Sequence, residues 1–145
     1  MAYTISNFVG GAGPTPGSHS STGVDGDEER RQLRHDLGLT DDGWVDQWEM
    51  STFIALTQQR LVIGSRSSVR NRPKDLIVEA PRSEVTAHWF DSTVGPSWFR
   101  HWVIEFGGGR WRQERTGLKV LGKTTKIAAA TDELVAALGD RAVQH

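Results

Sequence analysis

The stretch most suggestive of chemistry is "GLKVLGKTT", residues 117–125, whose first eight letters satisfy the phosphate-loop pattern G-x-x-x-x-G-K-[ST]. Such a loop works because small residues let successive backbone amides converge on an anion in front of a helix N-terminus. Three of the four variable positions here, Leu118, Val120 and Leu121, are bulky and apolar. Only 21 residues follow Thr124, too few for the strands and the magnesium-binding aspartate that a nucleotide site needs. The segment is therefore expected to join a strand to a helix, with Leu118, Val120 and Leu121 packed where the two meet. No nucleotide and no other cofactor is expected.

The histidines offer a second chemistry. His88 in "AHWFD" and His101 in "FRHWV" sit on different predicted strands, each on the outward side of its alternation, where Asp91 or Glu105 could join them around a metal. There is no HExxH, no Gly-x-Ser-x-Gly and no carboxylate dyad, so surface histidines, no metal and no catalytic residues are the expectation. Six tryptophans raise a third reading. Trp98, Trp102 and Trp111 among Arg100, Arg110, Arg112 and Arg115 could stack nucleic-acid bases. The alternation instead places Trp98 and Trp102 beside Ile104 and Phe106 on a core face.

Charge is unevenly distributed. Up to Gln59 there are nine acids against three arginines; Arg60–Lys126 holds thirteen basic residues against six acids, a balance of +7; the tail from Ile127 carries −2. A basic middle of this kind fits an anionic partner or an acidic segment folded back on it. With no cysteine in 145 residues, disulfides and thiolate sites are excluded. The opening "MAYTISNFVGGAGPTPGSHSSTGVDG" reads as no signal peptide, and a cytoplasmic location is expected.

These groups must be carried by a scaffold. Residues 1–25, with five glycines, two prolines and a serine/threonine cluster, predict a flexible arm. Residues 26–38 predict a short acidic amphipathic helix, with Leu33 and Leu37 on one face and Gly38 at its C-terminus; its narrow stripe must dock on something. From Trp44 the period becomes two. "GWVDQWEM", "TFIALT", "QRLVIGS", "DLIVEA" with Leu76 and Val78 on one face, "SEVTAHWFD", "SWFRHWVIEF" and "RWRQERT" make about seven short antiparallel strands, with hairpin spacings at Gln58-Gln59 and at the triple glycine 107–109. "GKTTKIAAATDELVAAL" is helical, with Ile127, Leu134 and Leu138 on one stripe and Gly139 at its end. The class is mainly β, with residues 140–145 as a tail.

This order, with "ALTQQRLVIG", "WFRHWVIEF-GGG-RWRQE" and the closing "TDELVAALG", resembles the bacterial pleckstrin-homology-like (PH-like) domains over 43–139. The resemblance implies a two-sheet antiparallel barrel capped by its C-terminal helix, and a non-enzymatic binding or scaffold function, with protein–protein interaction first and self-association among its forms. It also implies an alternative. PH domains that bind phosphoinositides carry basic residues around a loop between strands, and "RSSVRNRPKD" offers Arg66, Arg70, Arg72 and Lys74 as an anionic-headgroup site, to which Lys119 and Lys123 add, at the inner face of a membrane. Nucleic-acid binding through the basic middle is a weaker third reading. An edge strand, or the groove beside the C-terminal helix, is where a peptide would bind.

Overall fold

A computed structural model describes residues 3–9, 26–45, 51–66 and 73–145, with side chains over 26–45, 52–65 and 75–145. Nine strands and two α-helices lie among them: β1 Tyr3–Val9, α1 Asp27–Asp36, β2 Ser51–Leu56, β3 Arg60–Arg66, β4 Pro73–Pro81, β5 Thr86–Val94, β6 Ser97–Glu105, β7 Trp111–Val120, β8 Lys123–Thr124, α2 Ala128–Leu138 and β9 Ala142–Gln144. The strand order is β4-β3-β2-β1-β7-β6-β5-β9, with β8 paired to β7. Two antiparallel meanders, β1 to β4 and β5 to β7, are joined among the described residues by the pairing of Val9 with Arg115. β9 runs parallel to β5, so the sheet is not antiparallel throughout. Among the described residues no helix is long and apolar enough to cross a membrane.

Hydrophobic alternation explains most of this architecture. Ile54, Leu56, Leu61, Ile63, Val85, Ala87, Trp102, Ile104 and Phe106 line one face of the curled sheet, and α2 lays Leu134 and Leu138 against them. The β2–β3 turn is the expected hairpin, closed by Thr57 N–H to the Arg60 carbonyl. The triple glycine turns β6 into β7 with all three residues at positive φ (82°, 65° and 79°), a run that side-chain-bearing residues would resist. Gly43 is required for a different reason. It lies so close to that turn that an added Cβ would sit 1.8 Å from the Gly109 carbonyl oxygen. Gly43→Ala is therefore expected to lower stability by about 2 kcal/mol or more, read as a lower urea midpoint at unchanged slope.

α1 covers the other face of β6. Its C-terminus is a Schellman motif, with Gly38 N–H on the His35 carbonyl and Leu39 N–H on the Arg34 carbonyl. Leu33 packs with Val103 and Trp111, flanked by Leu37, Leu39, Trp44 and Phe90. The narrow stripe thus finds its dock, and β6 is buried on both sides.

Five expectations are corrected. Tyr3–Val9, inside the presumed flexible arm, is a strand bridging β2 and β7; residues 10–25 lie outside the described residues. Trp44 makes only an isolated bridge to Trp111, preceded by a turn over Asp41–Gly43, where a first strand was expected; 46–50 lie outside the description. Leu76 and Val78 do not share a face, because the register shifts: Val78 pairs with Ile63 and Leu76 with Gly64, leaving Ile77 as the extra residue and Leu76 exposed. Trp98 is 41% exposed although Trp102, Ile104 and Phe106 on the same alternation are buried, since it lies at the end of β6 beyond the reach of the core. Lys123 begins β8, and the helix starts only at Ala128.

Candidate functional site

The two histidines singled out for chemistry are both buried, not surface groups. His101 is fully buried between α1 and the sheet, with Nδ1 2.8 Å from Arg30 Nη1, Nε2 2.6 Å from Ser92 Oγ, and Phe90 stacked on its ring. A guanidinium has no lone pair to offer, so Nδ1 must accept from Arg30 and the ring proton must sit on Nε2, donated to Ser92. Nε2 therefore cannot deprotonate the serine, and the pair is no nucleophile. Burial first, then the Arg30 and Arg115 charges, push the His101 pKa down to about 3. His88 bonds Glu105 through Nε2 (2.7 Å) and the His145 ring through Nδ1 (2.9 Å). The His145 pKa is lowered by burial and by His88. Among the described residues no group of three His, Asp or Glu is placed to hold a metal.

The sheet interior is also polar, and its charges are engaged there. Arg112 Nε lies 2.6 Å from Glu114 Oε1, both buried, and Thr52 donates to Glu114 Oε2. Arg100 grips Asp91 through two nitrogens (2.7 and 3.0 Å), reaches Asp132 on α2, and lies 3.9 Å from the Trp89 ring centre. Trp102 and Trp111 are buried, the first donating to Thr116 and the second to the Thr40 carbonyl. Neither offers a stacking platform to a nucleic acid.

The 117–125 stretch is a β-hairpin, not a strand-to-helix joint. Gly117–Val120 finish β7, Val120 pairs with Lys123, and Leu121 and Gly122 form the two-residue turn at φ 51° and 82°. Of the three apolar residues expected to pack, only Leu118 is buried. The amides that would cradle a phosphate are spent internally: Leu121 N–H on Ser97 Oγ, Gly122 N–H on the Pro96 carbonyl and Thr125 N–H on the Leu118 carbonyl.

Those same bonds create a surface. They tie the β7–β8 turn to the β5–β6 turn, where Val94 pairs with Ser97 across Gly95-Pro96. Val94, Trp98, Val120 and Leu121 are thereby brought, exposed, to one end of the sheet, Leu121 at 78%. No protein-family model matches the chain, and no curated protein matches it. The site rests on its own geometry.

The basic candidates divide. Arg70 and Arg72 lie outside the described residues; Arg66 ends β3 and Lys74 belongs to β4, with side chains outside the description. Lys119 and Lys123 are exposed at the apolar end. Lys119 pairs with Trp98 and with Thr124, and Lys123 with Val120, so one lysine stands on each face of the hairpin. The cleft at the C-terminus of α2 is mostly polar, lined by Gln58, Gln59, Arg82, Ser83, Leu138, Asp140 and Arg141. Its arginines already serve the carbonyls of Thr57, Ala137 and Val85. The exposed turn residues were missed as a site because an apolar residue in sequence is read as core by default. A leucine before glycine in a two-residue turn was the available signal.

Proposed function

We propose that the chain is a non-enzymatic binding module of the PH-like kind, which docks through the end formed by the β5–β6 and β7–β8 turns. Two meanders followed by α2 are consistent with that kind of scaffold. The observation that carries the reading is a contrast. Groups able to do chemistry, His101, His88, Arg112 and Glu114, are held in internal networks, whereas Val94, Trp98, Val120 and Leu121 stand exposed together on rigidly tied turns. Apolar side chains gathered in this way mark an interaction site.

A photo-crosslinking amino acid placed at Leu121 or, at the opposite end, at Asp140 tests this in whole cells. Adducts of any kind should concentrate at position 121. Equal yields at the two positions would refute the docking role of this end.

A further inference from the structure

We infer that this apolar end docks on the surface of an anionic lipid bilayer, with Trp98 and Leu121 entering the headgroup boundary and Lys119 and Lys123 meeting the lipid charge; the inference rests on the docking role proposed above. The first argument is Leu121 itself. A leucine is poorly suited to the left-handed conformation it holds at φ 51°, where asparagine or glycine is at ease, and its side chain is almost entirely in water. Neither the backbone nor the core gains from leucine here. A contact outside the chain would.

The second argument is geometric. Leu121 N–H to Ser97 Oγ (3.0 Å) and Gly122 N–H to the Pro96 carbonyl (3.1 Å) lock the two turns together, so this end of the sheet is preformed, with Trp98 on one face, Val94 and Val120 on the other and Leu121 at the tip, and little is left to order on docking. The third is electrostatic. One lysine flanks the hairpin on each face and Lys126 follows it, while Asp91 on β5 and Asp132 on α2 are already engaged by Arg100. A second copy of the chain seated on this end would set lysine against lysine. A bilayer rich in anionic lipid instead takes both features at once, because tryptophan favours the membrane–water boundary and a lysine can keep its charge in the headgroups while its stem lies along apolar surface. Its residues are not those of the Arg66–Lys74 stretch that the family resemblance singled out.

The full chain is mixed with phosphatidylcholine vesicles with or without phosphatidylserine. Expected is co-sedimentation with the anionic vesicles alone, falling as salt rises from about 0.1 to 1 M, where the screening length drops from about 10 to about 3 Å. Quenching of tryptophan emission by brominated lipid should disappear in Trp98→Phe. Each of Lys119→Gln and Lys123→Gln should weaken binding about fivefold.

The decisive variant is Leu121→Asn. It suits the turn, so its melting temperature should equal or exceed that of the wild type, yet its vesicle binding should fall at least about tenfold. A structural role for Leu121 predicts the reverse. Failure of the folded wild type to pellet with anionic vesicles would overturn the inference, as would undiminished binding by Leu121→Asn. Binding lost only in Arg70→Ala/Arg72→Ala would move the site to the other loop. If vesicles fail while crosslinking at position 121 still yields protein adducts, the bilayer is wrong and the docking end stands; if both fail, so does the docking role.

Discussion

Glu114→Ala should lower stability by about 3–5 kcal/mol, because it leaves a buried guanidinium without its carboxylate. Arg112 and Glu114 are 2% and 0% exposed, and their side chains meet at 2.6 Å inside the curled sheet. Arg112 also donates to the Val45 carbonyl, and Thr52 donates to the second carboxylate oxygen, so the pair belongs to a network that fastens the chain after α1, β2 and β7. Removing either charge deprives the other, still buried, of this contact. Replacing both with leucine removes the desolvation problem along with the attraction, so the double variant should be far more stable than the sum of the single changes predicts. Urea unfolding of Arg112→Leu, Glu114→Leu and the double variant gives the coupling directly. A value within about 0.5 kcal/mol of zero would mean that the two side chains do not act as a unit.

That pair also shows what could be read from the chain and what could not. "RWRQERT" is recognisable as a strand, but alternation alone does not say which face of a strand is inside. The structure turns Arg112, Glu114 and Thr116 toward the core face and Trp111 and Gln113 toward α1. Both faces are buried because a helix some eighty residues earlier in the chain lies on one of them, a pairing that no local period reports. Alternation puts His101 and His88 on the outward side for the same reason. Outward is correct as parity, but α1 covers the first and β9 brings His145 onto the second. Strand β1 is a further non-local case, held by partners at Ser51–Leu56 and Arg115. Features carried by near neighbours were legible: the Gln58-Gln59 hairpin, the triple-glycine turn, the face of Val85, Ala87 and Trp89, the Leu134 and Leu138 stripe and the Gly38 helix end. At the candidate site, Lys119 and Lys123 were legible as charges. The exposure of Leu121 was not, because it depends on the turn's left-handed geometry and on Ser97 and Pro96 two strands away.

Acidification should destabilise the fold well above the range in which carboxylates titrate, and His101 is the cause. Its folded pKa of about 3 lies below the ordinary 6.5, so as pH falls through 6.5 the unfolded chain takes up a proton that the folded chain refuses. Stability contributed by neutral His101 is present above pH 6.5 and is lost progressively as pH falls toward 3. At about 1.4 kcal/mol per unit, the loss is about 2 kcal/mol by pH 5 and about 4 kcal/mol by pH 3, where the folded form begins to take up the proton too. The surroundings explain the refusal: an imidazolium here would face Arg30 at 2.8 Å and the Arg115 charge nearby, while Asp27, an acid in the first turn of α1, is already bound to Arg30. Protonation would also place a second donor against a guanidinium that can only donate, so the group that docks α1 would become the group that expels it. His101→Gln can keep an acceptor for Arg30 and a donor for Ser92 without titrating. It should cost about 1–3 kcal/mol at pH 7.5, and that cost should shrink by about 2 kcal/mol by pH 5 as the wild type weakens and the variant does not. Unfolding curves of the two proteins at both pH values measure the change, with other titrating groups cancelling in the difference. A gap between them that stays constant from pH 7.5 to 5 would show that His101 takes up its proton as readily folded as unfolded.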